Sequence, residues 1–354
     1  MKFKSVAETK FDLVSLGEVM LRLDPGESRI RAAREFKVWE GGGEYNVARG
    51  LRKCFGYRSA IVTALVDNEI GRLVEDLVST GGVSTEFIQW IDFDQVGRIA
   101  RNGLNFTERG FGLRGGVGVS DRGHTAVSQL KVGKIPWQEI FVNQGTRIFH
   151  TGGIFARLSE TTPEVILEAM SVAKSSGSLI SYDFNYRPSL WAGLGGKEKA
   201  QEISKQIAPY VDIIIGGVDD FVQSLGIKST ATQFSEIVPD VVNSYPNFQL
   251  VATTKRDLKS ASQNSYSAVG WSKDEGLVTS SINLDVEVLD RVGAGDSFVS
   301  GLIYGLLNNK PLVTALDYGV AHGALTMTTP GDNSMSTLAY VEEVISGGSA
   351  QIKR

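Results

Sequence analysis

The sequence predicts an α/β fold, a doubly wound sheet flanked by helices on both faces, with a small β lid. Two observations predict it, and a third, the glycine content, bears on where backbone meets a ligand. Strand-like and helix-like stretches alternate along most of the 354 residues, which is the pattern of a parallel sheet covered by helices. Two stretches, residues 19–37 and 95–130, break that rhythm with alternating residues that close no βαβ unit. Glycine is in excess, at 40 of 354 residues, although proline numbers only 9 and no collagen period exists.

In order along the chain, residues 11–16 (FDLVSL) read as a first strand and 44–55 as a helix ending near Gly56. A strand at 59–65 and a helix at 69–79 follow, stopped by Gly81 and Gly82. The clearest unit spans 147–184: the strand RIFHTGG, then Thr162-Pro163 opening a helix that Gly177 ends, then the strand SLISYDF. Helix 197–208, strand 211–215, helix 231–242, strand 249–253 and helix 296–307 continue the alternation, implying right-handed crossovers. The two interruptions read as strands of an accessory sheet inserted at one edge of a single domain covering 1–354. Between Gly103 and Gly123 lie seven glycines interleaved with Arg109, Arg114 and Arg122. This stretch reads either as a surface loop or as a hinged lid whose arginines meet an anionic ligand.

Composition excludes several classes. With 36 Lys+Arg against 40 Asp+Glu there is no basic field for nucleic acid. A single cysteine, Cys54, forms no internal disulfide, and three scattered histidines give no zinc spacing. The polar N-terminal residues do not read as a signal peptide, and no apolar run reaches the roughly 18 residues of a membrane span. A cytoplasmic location is therefore expected.

The phosphate-loop patterns G-x-x-x-x-G-K-[ST] and G-x-G-x-x-G after the first strand are both absent. Instead, Asp290-Arg291-Val292-Gly293-Ala294-Gly295-Asp296-Ser297-Phe298 follows an extended stretch and opens an amphipathic helix. Glycines at a helix N-terminus present free amides and the positive dipole end to an anion. Asp296 beside such a hole is either a simple helix cap or a base that takes a proton from a hydroxyl attacking phosphorus.

DRVGAGDSF, together with Glu40-Gly41-Gly42-Gly43-Glu44-Tyr45-Asn46-Val47-Ala48, resembles the two signatures of the ribokinase (phosphofructokinase-B) family of carbohydrate kinases. The resemblance runs from Ser15 to Asp332. Asp183-Phe184-Asn185-Tyr186-Arg187-Pro188-Ser189-Leu190-Trp191 is most similar to the 2-keto-3-deoxygluconate kinases within it.

The resemblance implies a ribokinase-like fold and ATP-dependent phosphorylation, with Mg²⁺, of the primary hydroxyl of a small sugar or sugar acid. Asp296 is the implied base, with Gly293, Ala294 and Gly295 as the anion hole. Gly42, Gly43, Asn46 and Asp332 are implied sugar contacts, and Arg122 and Arg187 implied partners of a substrate carboxylate, which a guanidinium fork suits. Asn185, Thr254, Lys255 and His322, with Gly293 and Gly295, are the implied nucleotide contacts, although Lys255 reads equally as an ordinary exposed lysine. Pairing of lids into a homodimer is also implied.

Two departures stand out. Where the family has an N-x-x-E element after a strand, Gly217 replaces the asparagine and Asp220 the glutamate, leaving Asp220 as the metal candidate. Asn105 stands where a substrate tyrosine is usual. A kinase of a neutral sugar, or a weakly catalytic sugar-acid sensor, are the competing readings.

Overall fold

The computed structural model describes residues 1–193 and 195–348; the last six residues of the expected domain lie outside it. The chain enters on β1 (Phe11–Leu16), passes through two lid strands, β2 (Met20–Asp24) and β3 (Lys37–Gly41), and returns on α1 (Gly43–Lys53) to β4 (Ser59–Asp67). Then come α2 (Glu69–Thr80), β5 (Ser84–Asp92), and two more lid strands, β6 (Leu104–Glu108) and β7 (Val117–Asp121). Next are β8 (Thr146–Gly152), α3 (Thr162–Ser175), β9 (Leu179–Asp183), α4 (Pro188–Trp191), α5 (Gly196–Ile207) and β10 (Ile213–Ile215). They are followed by α6 (Val218–Gln223), α7 (Phe234–Ser244), β11 (Leu250–Ser260), β12 (Gln263–Ser272), β13 (Gly276–Thr279) and β14 (Leu284–Glu287). Three helices complete the description: α8 (Ala294–Leu307), α9 (Leu312–Thr326) and α10 (Leu338–Ile345).

The main sheet has the order β13-β12-β11-β10-β9-β8-β1-β4-β5, with β14 pairing β12. From β11 to β5 all neighbours are parallel, while β12 to β14 pair antiparallel. Parallel strands covered on both faces need apolar side chains on both, and β1 and the three isoleucines of β10 are accordingly buried throughout. One face packs Phe149, Ile166, Phe221 and Ile237. The other packs Leu51, Val74, Phe298 and Val320.

The chain builds outward from β1 to β5, then restarts at β8 on the other side of β1. That reversal leaves a crevice at the carboxyl ends of β1 and β8, the place where open α/β sheets bind ligands. Over it lies the second sheet, ordered β3-β2-β6-β7.

Four expectations are corrected. The first lid segment continues past residue 37 to Gly41, because β3 pairs β2 from Lys37↔Asp24 to Gly41↔Met20. Residues 98–101 are not a strand: the Asp94 carboxylate collects the amides of Val96, Gly97, Arg98 and Ile99 into a turn. The strand expected at 249–253 runs on to Ser260 as half of an antiparallel hairpin. The helix expected from 231 begins at Phe234, since Glu236 accepts the amides of Thr232 and Gln233 ahead of it.

Candidate active site

A cleft of about 700 Å³ lies between the strand ends and the underside of the lid. Its sugar-signature side starts at the N-terminus of α1. A Cβ on Gly42 would overlap the Glu18 carbonyl, so only glycine lets the two backbones close here. The Gly42 amide donates to Asn46 Oδ1 (3.3 Å), and Asn46 Nδ2 donates to Asp296 Oδ2 (2.7 Å). One amide side chain thus ties the two sequence signatures, 250 residues apart, into one site. Asp296 Oδ1 lies beside Gly43.

On the facing element, Gly293 adopts φ +79° and packs where a Cβ would strike the Asp332 carbonyl. It caps α8, whose first residues are Ala294, Gly295 and Asp296. The first-turn amides of a helix have no intrahelical acceptor, so those of α8 are free to meet an anion. Burial pushes the Asp296 carboxyl up to about 6; Asn46 opposes this by hydrogen bonding, the nearby Asp332 adds to it, and the charges of Arg187 and Arg256 oppose it. Asp296 is therefore ionised at neutral pH yet close enough to it to exchange a proton.

Asp332 is buried at 7% exposure, and its Oδ1 receives Arg22 Nη1 at 2.6 Å. Arg22, on lid strand β2, is 1% exposed and also bonds Asp24 (3.2 Å) and Asp290. A single guanidinium thus fastens the lid sheet both to the loop that leads into α8, through Asp290, and to the segment after α9, through Asp332. Burial holds the Asp332 carboxyl above its usual range despite Arg22.

Arg122 and Arg187 both face the cleft. Arg122 donates from Nε to Glu18 Oε2 at 2.8 Å, and from Nη2 to the same oxygen. Arg187 is exposed, with Nε on Asn185 Oδ1 at 3.3 Å. Asn105, on β6, donates to Thr107 (3.0 Å) and accepts from Ser120 (3.0 Å) on the cleft wall.

The other side departs more from expectation. Asn185 (φ +40°) and Thr254 line the cleft. Lys255 does not: successive strand residues point to opposite faces, so with Thr254 turned inward Lys255 is exposed on the outer face, and Arg256 is the cation that lines the cleft. His322 is also absent from the lining. It is fully buried between α8 and α9, its Nδ1 2.9 Å from both Ser300 Oγ and the Ser297 carbonyl, edge-on to Phe55. Asp220 reaches the cleft, but its two oxygens accept the Gly217 amide (2.8 Å) and the Tyr186 amide (3.1 Å), capping α6.

Sequence reasoning missed Glu18, Arg22, Glu44, Asp183 and Arg256. Burial raises the Glu44 carboxyl to about 7, with Asp296 adding to the shift, and lifts Asp183 well above its range, with Asp296, Asp220 and Glu44 reinforcing it. Glu18 and Asp183 each sit at the carboxyl end of a parallel strand, a positional signal that was available. Arg22 between Leu21 and Leu23 looked like the solvent face of a strand, and no sequence signal marked it as buried.

An α/β fold with a helix-terminal anion hole, a buried carboxylate beside it and a lid above defines a phosphotransfer enzyme. The chain belongs to the pfkB family of carbohydrate kinases, whose pattern matches residues 10–338. It is 30% identical over 345 residues to a 2-dehydro-3-deoxygalactonokinase from Haloferax volcanii, covering 97% of this chain and 99% of that protein. It is 25% identical over 352 residues to a 5-dehydro-2-deoxygluconokinase from Bacillus licheniformis, covering 99% of this chain and all of the relative. Its structure superposes on the crystal structure of 2-dehydro-3-deoxygluconokinase from Thermotoga maritima with a TM-score of 0.86 at 32% identity, over 95% of this chain and 99% of the other.

Proposed function

We propose that this carbohydrate kinase transfers the γ-phosphoryl group of ATP to the primary hydroxyl of a 2-keto-3-deoxy sugar acid, with 2-keto-3-deoxygluconate the first substrate to try. The observation that carries the reading is the hydrogen bond from Asn46 to Asp296 at the first turn of α8. It holds one carboxylate oxygen and leaves Oδ1 beside Gly43 to accept the proton of the attacking hydroxyl. As that proton moves to Asp296, the sugar oxygen bonds to the γ-phosphorus. The bond from phosphorus to the β-phosphate oxygen breaks, and its electron pair leaves with ADP. The Gly293–Gly295 amides stabilise the charge on the transferring group, and positioning does most of the rest. Arg122 and Arg187 line the same cleft and suit a substrate carboxylate.

Burial raises the Asp183 carboxyl, and the nearby charges of Asp296, Asp220 and Glu44 add to the shift. Among the described residues no three carboxylate or histidine groups converge as a metal cluster, and both Asp220 oxygens already accept amides, so Asp183 and Asp220 would hold Mg²⁺ only together with the donor phosphates. When bound, the ion offsets phosphate charge.

One observation favours the neutral-sugar alternative: Glu18 already engages Arg122, which lowers the positive charge offered to a carboxylate. ADP release measured across sugar acids and neutral sugars separates the two. We expect 2-keto-3-deoxy acids to be turned over best; fructose or ribose turned over faster would establish the alternative, and stabilisation by an acid with no ADP would indicate a sensor. The free lid strand β7, with Val117 and Val119 exposed, is where we expect two copies to pair, which sedimentation checks.

A further inference from the structure

We propose that Arg256 is an additional catalytic residue, whose guanidinium binds the terminal phosphates of the nucleotide donor opposite the α8 amides. The proposal rests on the kinase reading of the cleft and adds a group to its donor side.

Geometry places Arg256 there. On β11, Arg256 pairs directly across the ladder with Tyr266 of β12, and its guanidinium carbon stands 5.3 Å from the centroid of that ring. Tyr266 is fully buried, and its hydroxyl donates to the Ala294 carbonyl at 3.3 Å. The arginine is therefore braced, through one rigid aromatic ring, on the same helical turn that presents the anion hole.

Its charge is felt by Asp296, but no carboxylate pairs with it directly among the described residues. Arg122 pairs with Glu18 and Arg109 with Asp24 at 3.5 Å, and Arg22 behind the cleft is held by three aspartates. Arg256 makes no ion pair among the described residues, and its Nε is buried without an acceptor. A partly desolvated guanidinium is unfavourable unless an anion completes it. Arg187 and Arg291 also line the cleft without an ion pair among the described residues, but both are exposed, Arg187 on the segment after β9 and Arg291 on the loop before α8, whereas Arg256 is partly buried.

The neighbourhood also explains why a cation is wanted. Gly217 lies next to the same strand, with the position of its absent Cβ 3.6 Å from Thr253 Oγ1. No side-chain amide is available there. In the transfer already written, the electron pair of the broken P–O bond goes to the β-phosphate, and Arg256 offsets the charge that gathers on that leaving group and on the γ-oxygens. No proton or electron leaves Arg256.

Calorimetric titration of AMP, ADP and ATP into the wild-type protein, Arg256→Gln and Arg256→Lys tests this, with melting temperatures as a folding check. Arg256→Gln should bind AMP within about twofold of wild type and ATP about 10- to 100-fold more weakly, the worth of a charge-assisted hydrogen bond. Arg256→Lys should recover part of the loss. An equal loss for all three nucleotides, or none, with wild-type binding that still strengthens with phosphate number, overturns the role of Arg256 alone. A wild-type protein that binds none of the three overturns the kinase reading as well.

Discussion

The sugar side and the donor side of the cleft are built in different ways. The sugar side and the α8 N-terminus it meets are made by backbones brought into contact: Gly42 against Glu18, Gly293 against Asp332, and one amide, Asn46, bridging to Asp296. The donor side is made by side-chain direction on a strand, where Thr254 and Arg256 face in and Lys255 faces out. Sites of the first kind are written as contiguous strings with glycine at fixed places. Sites of the second kind depend on which way a strand is turned, which only the packed sheet decides.

The largest expected effect breaks the sugar side at its bridge. Asp296→Asn should lower kcat by about 10²- to 10⁴-fold, the usual contribution of a positioned base, while sugar and ATP affinities stay within a few-fold. The wild-type enzyme should lose kcat/KM as pH falls below about 6, because the carboxyl is protonated there and cannot accept the substrate proton. A flat profile through that range would assign the base elsewhere.

Next in size is the fastening between lid and anion hole. Arg22→Met leaves Asp24, Asp290 and Asp332 without their shared cation, and should lower unfolding free energy by about 3–5 kcal/mol in urea titrations. A small effect would mean that the network is dispensable for folding.

Arg122→Ala and Arg187→Ala compare the two cleft arginines. Each should raise KM for a sugar acid by about tenfold or more, with little change for a neutral sugar. Arg187 is expected to show the cleaner difference, since Arg122 is shared with Glu18. The smallest effect is Lys255→Ala, an exposed substitution that should leave nucleotide affinity within about twofold. A large loss there would return the outer face of β11 to the donor site.

The same contrast explains what the sequence disclosed. The parallel core was legible because buried strands such as β10 are unbroken apolar runs between helix caps. The hairpin of β11 and β12 was not, since its exposed polar half carries no apolar alternation strong enough to mark it. Gly42, Gly43, Asn46, Asp296 and Asp332 were readable as motif positions. His322, implied as a nucleotide contact only by the resemblance, has its ring sealed between helices instead, and burial lowers its pKa to about 4. The buried Arg22 could not be inferred, because its three partners come from distant parts of the chain.

The central claim is transfer of phosphate to the primary hydroxyl of a sugar acid. Its most direct test is phosphorus and proton NMR of the products formed from ATP and 2-keto-3-deoxygluconate. One new phosphomonoester coupled to the two protons of a terminal methylene, formed in step with ADP, is expected. Phosphate on a secondary hydroxyl, release of inorganic phosphate alone, or no reaction of any sugar acid while a neutral sugar is phosphorylated would contradict it.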